Sequence, residues 1–122
     1  MFGNDGLETP EADLIRAVIM QAYRDLFISV RADGSSSFTT QADQDQAISF
    51  LTDKAGGIAK HRNALCSLIN CDGDALADRV RGMMEGDDFP SLAPDPTDAS
   101  IARHMEAVER VRERWRQIRS IH

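Results

Sequence analysis

The stretch that decides the fold is RNALCSLINCDGDALADRVRGMM, residues 62–84. Its apolar residues fall into two runs at helical spacing, one over 64–69 and one over 76–84. Between them lies the sequence NCDGD at 70–74, which is typical of a tight turn. Two short helices joined by a few residues have the geometry of a helix-turn-helix unit, whose second helix can enter the major groove of DNA.

Length and charge limit what the chain can be. Its 122 residues, of which 42% are hydrophobic, suffice for one domain with a real core. No apolar run approaches the roughly 20 residues of a membrane helix, so no membrane partner is expected. The chain carries 14 basic and 20 acidic side chains, a net charge of -6, whereas a DNA-binding domain is usually basic. The balance therefore disfavours simple non-specific binding to nucleic acid.

The pattern around the central stretch predicts an all-α fold, a small bundle of four helices that ends in a fifth, amphipathic helix. Thr9-Pro10-Glu11 opens the first helix, because threonine caps well and proline fits the first turn. We expect that helix to run to about Ser29. Thr40 is the predicted cap of the second helix, and Gly56-Gly57 its end. No strand pattern competes with these assignments.

The remaining boundaries follow from caps and prolines. Asp72 is the predicted cap of the fourth helix, and Asp98 that of the last, which runs to near Ser120. The Pro/Asp-rich linker between them can dock on the core through Phe89 and Leu92. The predicted organisation is a flexible leader, a helical domain, the linker and a basic amphipathic helix, at 1–8, 9–86, 87–98 and 99–122.

The apolar stripes of the helices predict which side chains form the core. We expect it to contain Ile15, Val18, Ile19, Ala22, Leu26, Ile48, Leu51, Leu65, Leu68, Leu76 and Val80. On this assignment Leu68→Ala costs about 2–5 kcal/mol, as is usual for a fully packed leucine.

Charge is divided unevenly between the body and the tail of the chain. Residues 1–100 carry 8 basic and 17 acidic side chains, a net charge of -9, and residues 101–122 carry 6 arginines and 3 glutamates, a net charge of +3. An acidic body therefore ends in a basic helix. If the protein binds DNA, the tail is expected to contact phosphates through Arg112, Arg116 and Arg119, which follow i, i+4 and i+7. Arg79 and Arg81 of the fourth helix are the candidates for base contacts.

The last helix also carries an apolar stripe with steps of three and four residues. Such a stripe packs either on its own domain or on a second copy of the chain, with the arginines in solvent. Trp115 can alternatively anchor a partner. For a homo-oligomer, the predicted interface residues are Ile101, Met105, Val108, Val111 and Trp115.

No motif in the chain points to a cofactor or a metal. Gly56-Gly57 lacks the lysine and the preceding strand of a phosphate loop. His61, Cys66 and Cys71 are poorly spaced for metal binding, because five residues along a helix rotate side chains apart and a fourth ligand is missing. His104 is expected to be solvated. Because the two cysteines form no disulfide framework and no secretory signal is present, the predicted location is the reducing cytoplasm.

Residues 12–84 resemble a group of small, largely uncharacterised proteins of alphaproteobacterial prophages and gene-transfer elements. The resemblance rests on the sequence LIRAV at 14–18, on Phe50-Leu51, and on the run from Leu65-Cys66 through Leu76 and Val80. The turn differs, since these proteins have Gly-Leu-Asp-Pro where this chain has Asn-Cys-Asp-Gly. The resemblance implies a phage-like setting and supplies no activity.

Two functions are compatible with these features. The leading hypothesis is a small phage-like regulatory or DNA-packaging accessory protein that binds DNA or a nucleoprotein. The alternative is an acidic protein-only adaptor or inhibitor, a nucleic-acid mimic that binds a host or phage protein. No catalyst is expected, because no nucleophile–base or carboxylate pair stands out. The distribution of charge on the folded surface discriminates between the two.

Overall fold

The computed structural model describes residues 9–28, 41–93 and 97–121, and over these ranges it is all-helical, as predicted. The five helices are α1 (Pro10–Asp25), α2 (Gln41–Thr52), α3 (Gly56–Ser67), α4 (Gly73–Met84) and α5 (Asp98–Ile121). α2 lies at the centre, in contact with α1, α3 and α4, and α4 also contacts α5. Within the described ranges, no helix is long and apolar enough to cross a membrane.

The caps predicted for α1 and α4 are confirmed. The Thr9 hydroxyl accepts a hydrogen bond from the Ala12 amide at 3.1 Å, and Pro10 occupies the first turn. The Asp72 carboxylate accepts from the Ala75 amide at 3.0 Å. The cap predicted for α5 is one residue off, because the Thr97 hydroxyl accepts from the Ser100 amide at 3.1 Å. Thr40 lies outside the described residues.

The boundary between α2 and α3 differs from the prediction. Gly56-Gly57 does not end α2, which stops at Thr52, but forms the first turn of α3. Arginine side chains satisfy the last carbonyls of α2: Arg62 donates to the Phe50 and Asp53 oxygens at 3.2 and 2.6 Å. A sequence pattern cannot reveal this, because the donor follows ten residues after the helix that it caps.

The buried face of α3 is made of small and polar residues. Ala59, Arg62 and Cys66 follow helical spacing, and the last two are 0% exposed. Leu68 is 68% exposed, so its assignment to the core is wrong, and Leu68→Ala is now expected to change stability by less than about 0.5 kcal/mol. The pattern misled because Arg62 takes the inward position on α3, whereas Leu68, just past the end of the helix, faces solvent.

The observed core combines α1, α2, α4, the linker and α5. Its buried members are Leu26, Ala47, Ile48, Leu51, Val80, Met83, Met84, Phe89, Val108, Val111 and Trp115. Among the predicted core residues, Ile15, Leu26, Ile48, Leu51 and Val80 are buried. Ile19, Ala22, Leu65 and Leu76 are half-buried. Val18, predicted to be buried, is 41% exposed and lines a groove beside Phe50.

Helix α5 packs on its own chain. Val108, Val111 and Trp115 are at most 6% exposed, so the prediction that they form an intermolecular seam is wrong at these three positions. The physical reason is that α5 lies against α4, where this stripe completes the core. Only Ile101 and Met105 remain outside, at 48% and 62% exposed. An oligomer interface stays a prediction at these two residues alone.

The described part of the linker is fastened to the core by aromatic side chains. Phe89 is 3% exposed and packs edge-on against Phe27, with the ring centroids 5.6 Å apart. The Tyr23 hydroxyl donates to the Pro90 carbonyl. His104 is half-buried rather than solvated, because its Nε2 donates to the Phe89 carbonyl at 2.7 Å. Leu92, the second predicted anchor, is 45% exposed.

Candidate anion-binding cleft

The α3–α4 pair was the first candidate for contact with DNA. The two helices approach closely, since a Cβ on Gly73 would lie 2.9 Å from the Asn63 Cα. The outer face of α4 nevertheless carries carboxylates beside its one exposed arginine, Arg79. Asp74 lies 3.7 Å from the Arg62 guanidinium, and Asp78 pairs with Lys54. This face therefore opposes the approach of a phosphate backbone.

Arg81 serves the fold. Its Nε donates to the Thr52 carbonyl at 2.6 Å, and the side chain is half-buried between α4 and the end of α2. Of the two arginines proposed to read bases, only Arg79 therefore points to solvent. The Nε of Arg81 satisfies a carbonyl that the end of a helix leaves unpaired, and a base contact by Arg81 stays a prediction.

Arg112 is also a structural residue rather than a phosphate contact. It donates to the Met83 carbonyl at 3.0 Å and to the Asp87 carbonyl at 2.9 Å. Its guanidinium lies over the Phe89 ring, 5.6 Å from the centroid. These contacts tie α5 to the end of α4 and to the linker. Of the three tail arginines predicted to contact phosphates, Arg112 is therefore held by the fold.

Arg116 and Arg119 stay on the surface. Arg116 pairs with Glu113 at 2.9 Å, and Arg119 lies 4.4 Å above the ring of Trp115. Arg114 instead faces α2 and binds both carboxylate oxygens of Asp45, at 2.8 and 2.7 Å. Hydrogen bonds from Arg114 lower the pKa of Asp45, and the same contact raises the pKa of Arg114.

A cleft of about 420 Å³ lies between the end of α1, the linker and the first half of α5. Its lining combines basic, aromatic and small polar side chains, namely Arg24, Phe27, Ser91, Leu92, Ala93, Ser100, Arg103, His104, Ala107 and Arg110. His104 is held against Phe27, with ring centroids 5.3 Å apart, and both rings belong to the packed wall. The three arginines of the lining lie around these two rings.

These three side chains, which we call the cleft arginines, are Arg24, Arg103 and Arg110. Arg24 comes from the last turn of α1, and the other two lie seven residues apart on one face of α5. All three are exposed, and no ion pair joins any of them to a carboxylate of the described ranges. Three positive charges, none of them in an ion pair with a described carboxylate, therefore share one concave surface on an acidic protein.

The sequence pattern missed Arg24 and placed Arg103 and Arg110 only loosely beside the tail face. Arg24 is the sole basic residue of the last turn of α1, which is a common position for a cation beside the negative end of a helix. Nothing in the local pattern shows that α5 returns beside that turn. The cleft is created by tertiary packing.

The two cysteines also depart from the expectation. Five residues along a continuous helix would separate them, but Cys71 lies beyond the end of α3, where its amide donates to the Cys66 carbonyl at 2.9 Å. Among the residues that the structure describes, no three His, Cys, Asp or Glu side chains are grouped to hold a metal ion.

Comparisons with known proteins found no matching family model, no matching curated protein and no matching solved structure. The chemistry of the cleft arginines is therefore the basis for assigning a function.

Proposed function

We propose that this chain is a small phage-type accessory protein that binds nucleic acid, in regulation or DNA packaging, with the cleft arginines as its phosphate contacts. The observation that carries the proposal is the gathering of Arg24, Arg103 and Arg110, exposed and without ion pairs, around one cleft. Guanidinium groups suit this role because their planar fork donates two parallel hydrogen bonds to phosphate oxygens.

The spacing of the cleft arginines fits a nucleic-acid strand. Seven residues of helix separate Arg103 from Arg110, a rise of roughly 10 Å. That distance equals the axial rise of about three nucleotides of one strand of B-DNA. Arg24 approaches from α1, so the three charges border a concave surface rather than a line. Small polar groups of the linker, such as Ser91, complete the lining.

The rest of the surface restricts how nucleic acid can bind. The chain has a net charge of -6, and the outer face of α4 carries Asp74 and Asp78. Repulsion from these groups directs a strand to the cleft and away from the α3–α4 pair. The tail helix therefore remains the proposed phosphate-binding element, with Arg103 and Arg110 of the cleft in place of Arg112.

The test is fluorescence anisotropy with labelled duplex and single-stranded oligonucleotides at low and moderate salt. The triple variant Arg24→Gln/Arg103→Gln/Arg110→Gln is expected to bind at least about tenfold more weakly. Its slope of log K against log salt should fall by about 0.9 per lost contact on duplex DNA and about 0.7 on single strands.

The matched control is Arg79→Gln/Arg116→Gln/Arg119→Gln, which removes the same charge from exposed arginines outside the cleft. The control should retain most of the affinity. Equal losses in the two triple variants would mean that only net charge matters. No binding by the unmodified chain, even at low salt, would rule out the nucleic-acid proposal.

A second candidate is the acidic adaptor or inhibitor, and one observation favours it. Glu85, Asp87 and Asp88 are exposed at the corner that follows α4, next to the acidic face of that helix. Such a surface suits a basic site on a host or phage protein. Capture of a protein from nuclease-treated lysate that is lost on replacing these three carboxylates with amides, and not with the cleft triple variant, would favour this function.

A further inference from the structure

The turn at the end of α3 brings two cysteines together. Asn70 has a positive φ of 57°, the Asn70 amide donates to the Ser67 carbonyl at 3.3 Å, and the Cys71 amide donates to the Cys66 carbonyl at 2.9 Å. This pattern is a Schellman motif, in which the residue after the left-handed position meets the side chain five residues earlier. Those two residues are usually apolar, and here both are cysteine.

The two thiols differ in their access to solvent. Cys66 is 0% exposed, whereas Cys71 is half-buried, and both are free thiols. Burial and the neighbouring Cys71 raise the pKa of Cys66 to about 11. The outer thiol is therefore the one that an incoming molecule can reach. The inner thiol lies beside the outer one, so it needs no access of its own.

We infer that Cys66 and Cys71 form a reversible disulfide site that reacts with small disulfides of the glutathione class. In the first step the Cys71 thiolate attacks one sulfur of the small disulfide, which forms a mixed disulfide and releases one small thiol. In the second step Cys66 loses its proton and attacks the Cys71 sulfur, which forms the Cys66–Cys71 bond and releases the second small thiol. Two electrons pass from the protein thiols to the small disulfide, and its two sulfurs leave as thiols.

The bond has a defined structural consequence. It closes a short ring across the end of α3, and Cys71 directly precedes Asp72, the cap of α4. Oxidation therefore fastens the turn that sets the position of α4 against α3. The site lies outside the cleft lining, so its test is independent of nucleic-acid binding.

The first experiment equilibrates the full chain in glutathione buffers of increasing oxidised fraction, followed by acid quenching and mass spectrometry. We expect a species that has lost two hydrogens and carries no glutathione, with a tryptic fragment in which Cys66 and Cys71 are linked. The folded chain should reach half oxidation at an oxidised-to-reduced ratio at least about tenfold lower than the chain in denaturant, because the motif holds the thiols together. Equal ratios for the two states, or a folded chain that remains a dithiol, would overturn the inference.

Two substitutions separate the roles of the thiols. C66A is expected to stop at the mixed disulfide, since the second step lacks its nucleophile. C71S should react with the small disulfide at least about tenfold more slowly than the unmodified chain, because the remaining thiol is buried. Circular dichroism checks that each variant is folded. If folded C71S reacts as fast as the unmodified chain, the assigned order of attack is wrong.

Discussion

The arginines around the end of α2 and those around the cleft differ in what their guanidinium groups touch. Arg62 and Arg81 donate to backbone carbonyls that end α2, and Arg62 is wholly buried. Arg24, Arg103 and Arg110 are exposed and have no ion pair within the described residues. The same residue type thus serves the fold in one region and remains available for a ligand in the other.

The difference follows from the unpaired carbonyls at helix ends. The last carbonyls of a helix lack partners within it, and a buried carbonyl without a partner is costly. Arginine can satisfy several carbonyls at once because it carries five donors. One donor of Arg62, Nη2, makes no hydrogen bond and lies 3.7 Å from Asp74. On the cleft side, the last carbonyls of α1 already accept hydrogen bonds from the backbone amides of residues 26–28.

The largest expected effect is that of removing Arg62. Arg62→Leu leaves the Phe50 and Asp53 carbonyls without their donor, and should lower the free energy of unfolding by about 3–5 kcal/mol. Urea denaturation measures the change, with Arg24→Leu as the control in the cleft. A loss below about 1 kcal/mol for Arg62→Leu would show that the carbonyls find other partners, and would remove the contrast between the regions.

A smaller effect is expected for Arg112, which lies one turn before the exposed Arg116 on α5. Arg112→Ala removes hydrogen bonds to Met83 and Asp87 and the stacking on Phe89, and should cost about 2 kcal/mol. Arg116→Ala should change stability by less than about 0.5 kcal/mol, because its pair with Glu113 is exposed. Equal melting temperatures for the two variants would contradict the assignment of Arg112 to the fold.

Tyr23 packs against Phe27 of the cleft lining and holds the linker through Pro90. Tyr23→Phe removes the hydrogen bond to Pro90 and should cost about 1 kcal/mol at neutral pH. Burial, followed by the charge of Asp88, raises the pKa of Tyr23 from 10.0 to about 12. Because the folded value is the higher one, its stabilisation is complete below pH 10 and is lost as the pH rises toward 12.

The measurement is urea unfolding across this pH range, with the phenolate absorbance recorded in parallel. The unmodified chain should lose stability more steeply than Tyr23→Phe does. Parallel curves for the two proteins would mean that the hydroxyl is not held by the fold.

The smallest effect on stability is expected at the cleft. Arg24→Gln, Arg103→Gln and Arg110→Gln should each shift the free energy of unfolding by less than about 0.5 kcal/mol, since the described structure gives these groups no ion pair. Thermal melts at two salt concentrations check this. A loss of more than about 1 kcal/mol at any of them would make that arginine part of the fold and weaken the proposed function.

Much of the helical framework was predictable because its signals are local. The caps Thr9 and Asp72, and the existence of five helices, follow from residues that are neighbours in sequence. The errors fall where the partner is distant. Arg62 and Arg81 were not recognised as caps of α2, and Leu68 was placed inside, because a stripe does not reveal which face meets the core.

The candidate site was likewise predictable from the sequence only in part. The basic character of α5, and the presence of Arg103 and Arg110 on it, can be read from the sequence. Their position beside Arg24 cannot, because it depends on the packing of α5 near the end of α1, to which the buried Phe89 contributes. The contact between Cys66 and Cys71 is hidden for a related reason, since a left-handed residue at Asn70 reverses the chain between them.

The sequence by itself determined the all-helical class, the starts of α1 and α4, and the contrast between an acidic body and a basic tail. These properties depend on short-range capping, periodicity and composition, which act within a few residues. Only the tertiary structure decided which arginines are held by backbone carbonyls and which border the cleft. That choice depends on desolvation and on partners distant in the chain, which helix packing alone brings together.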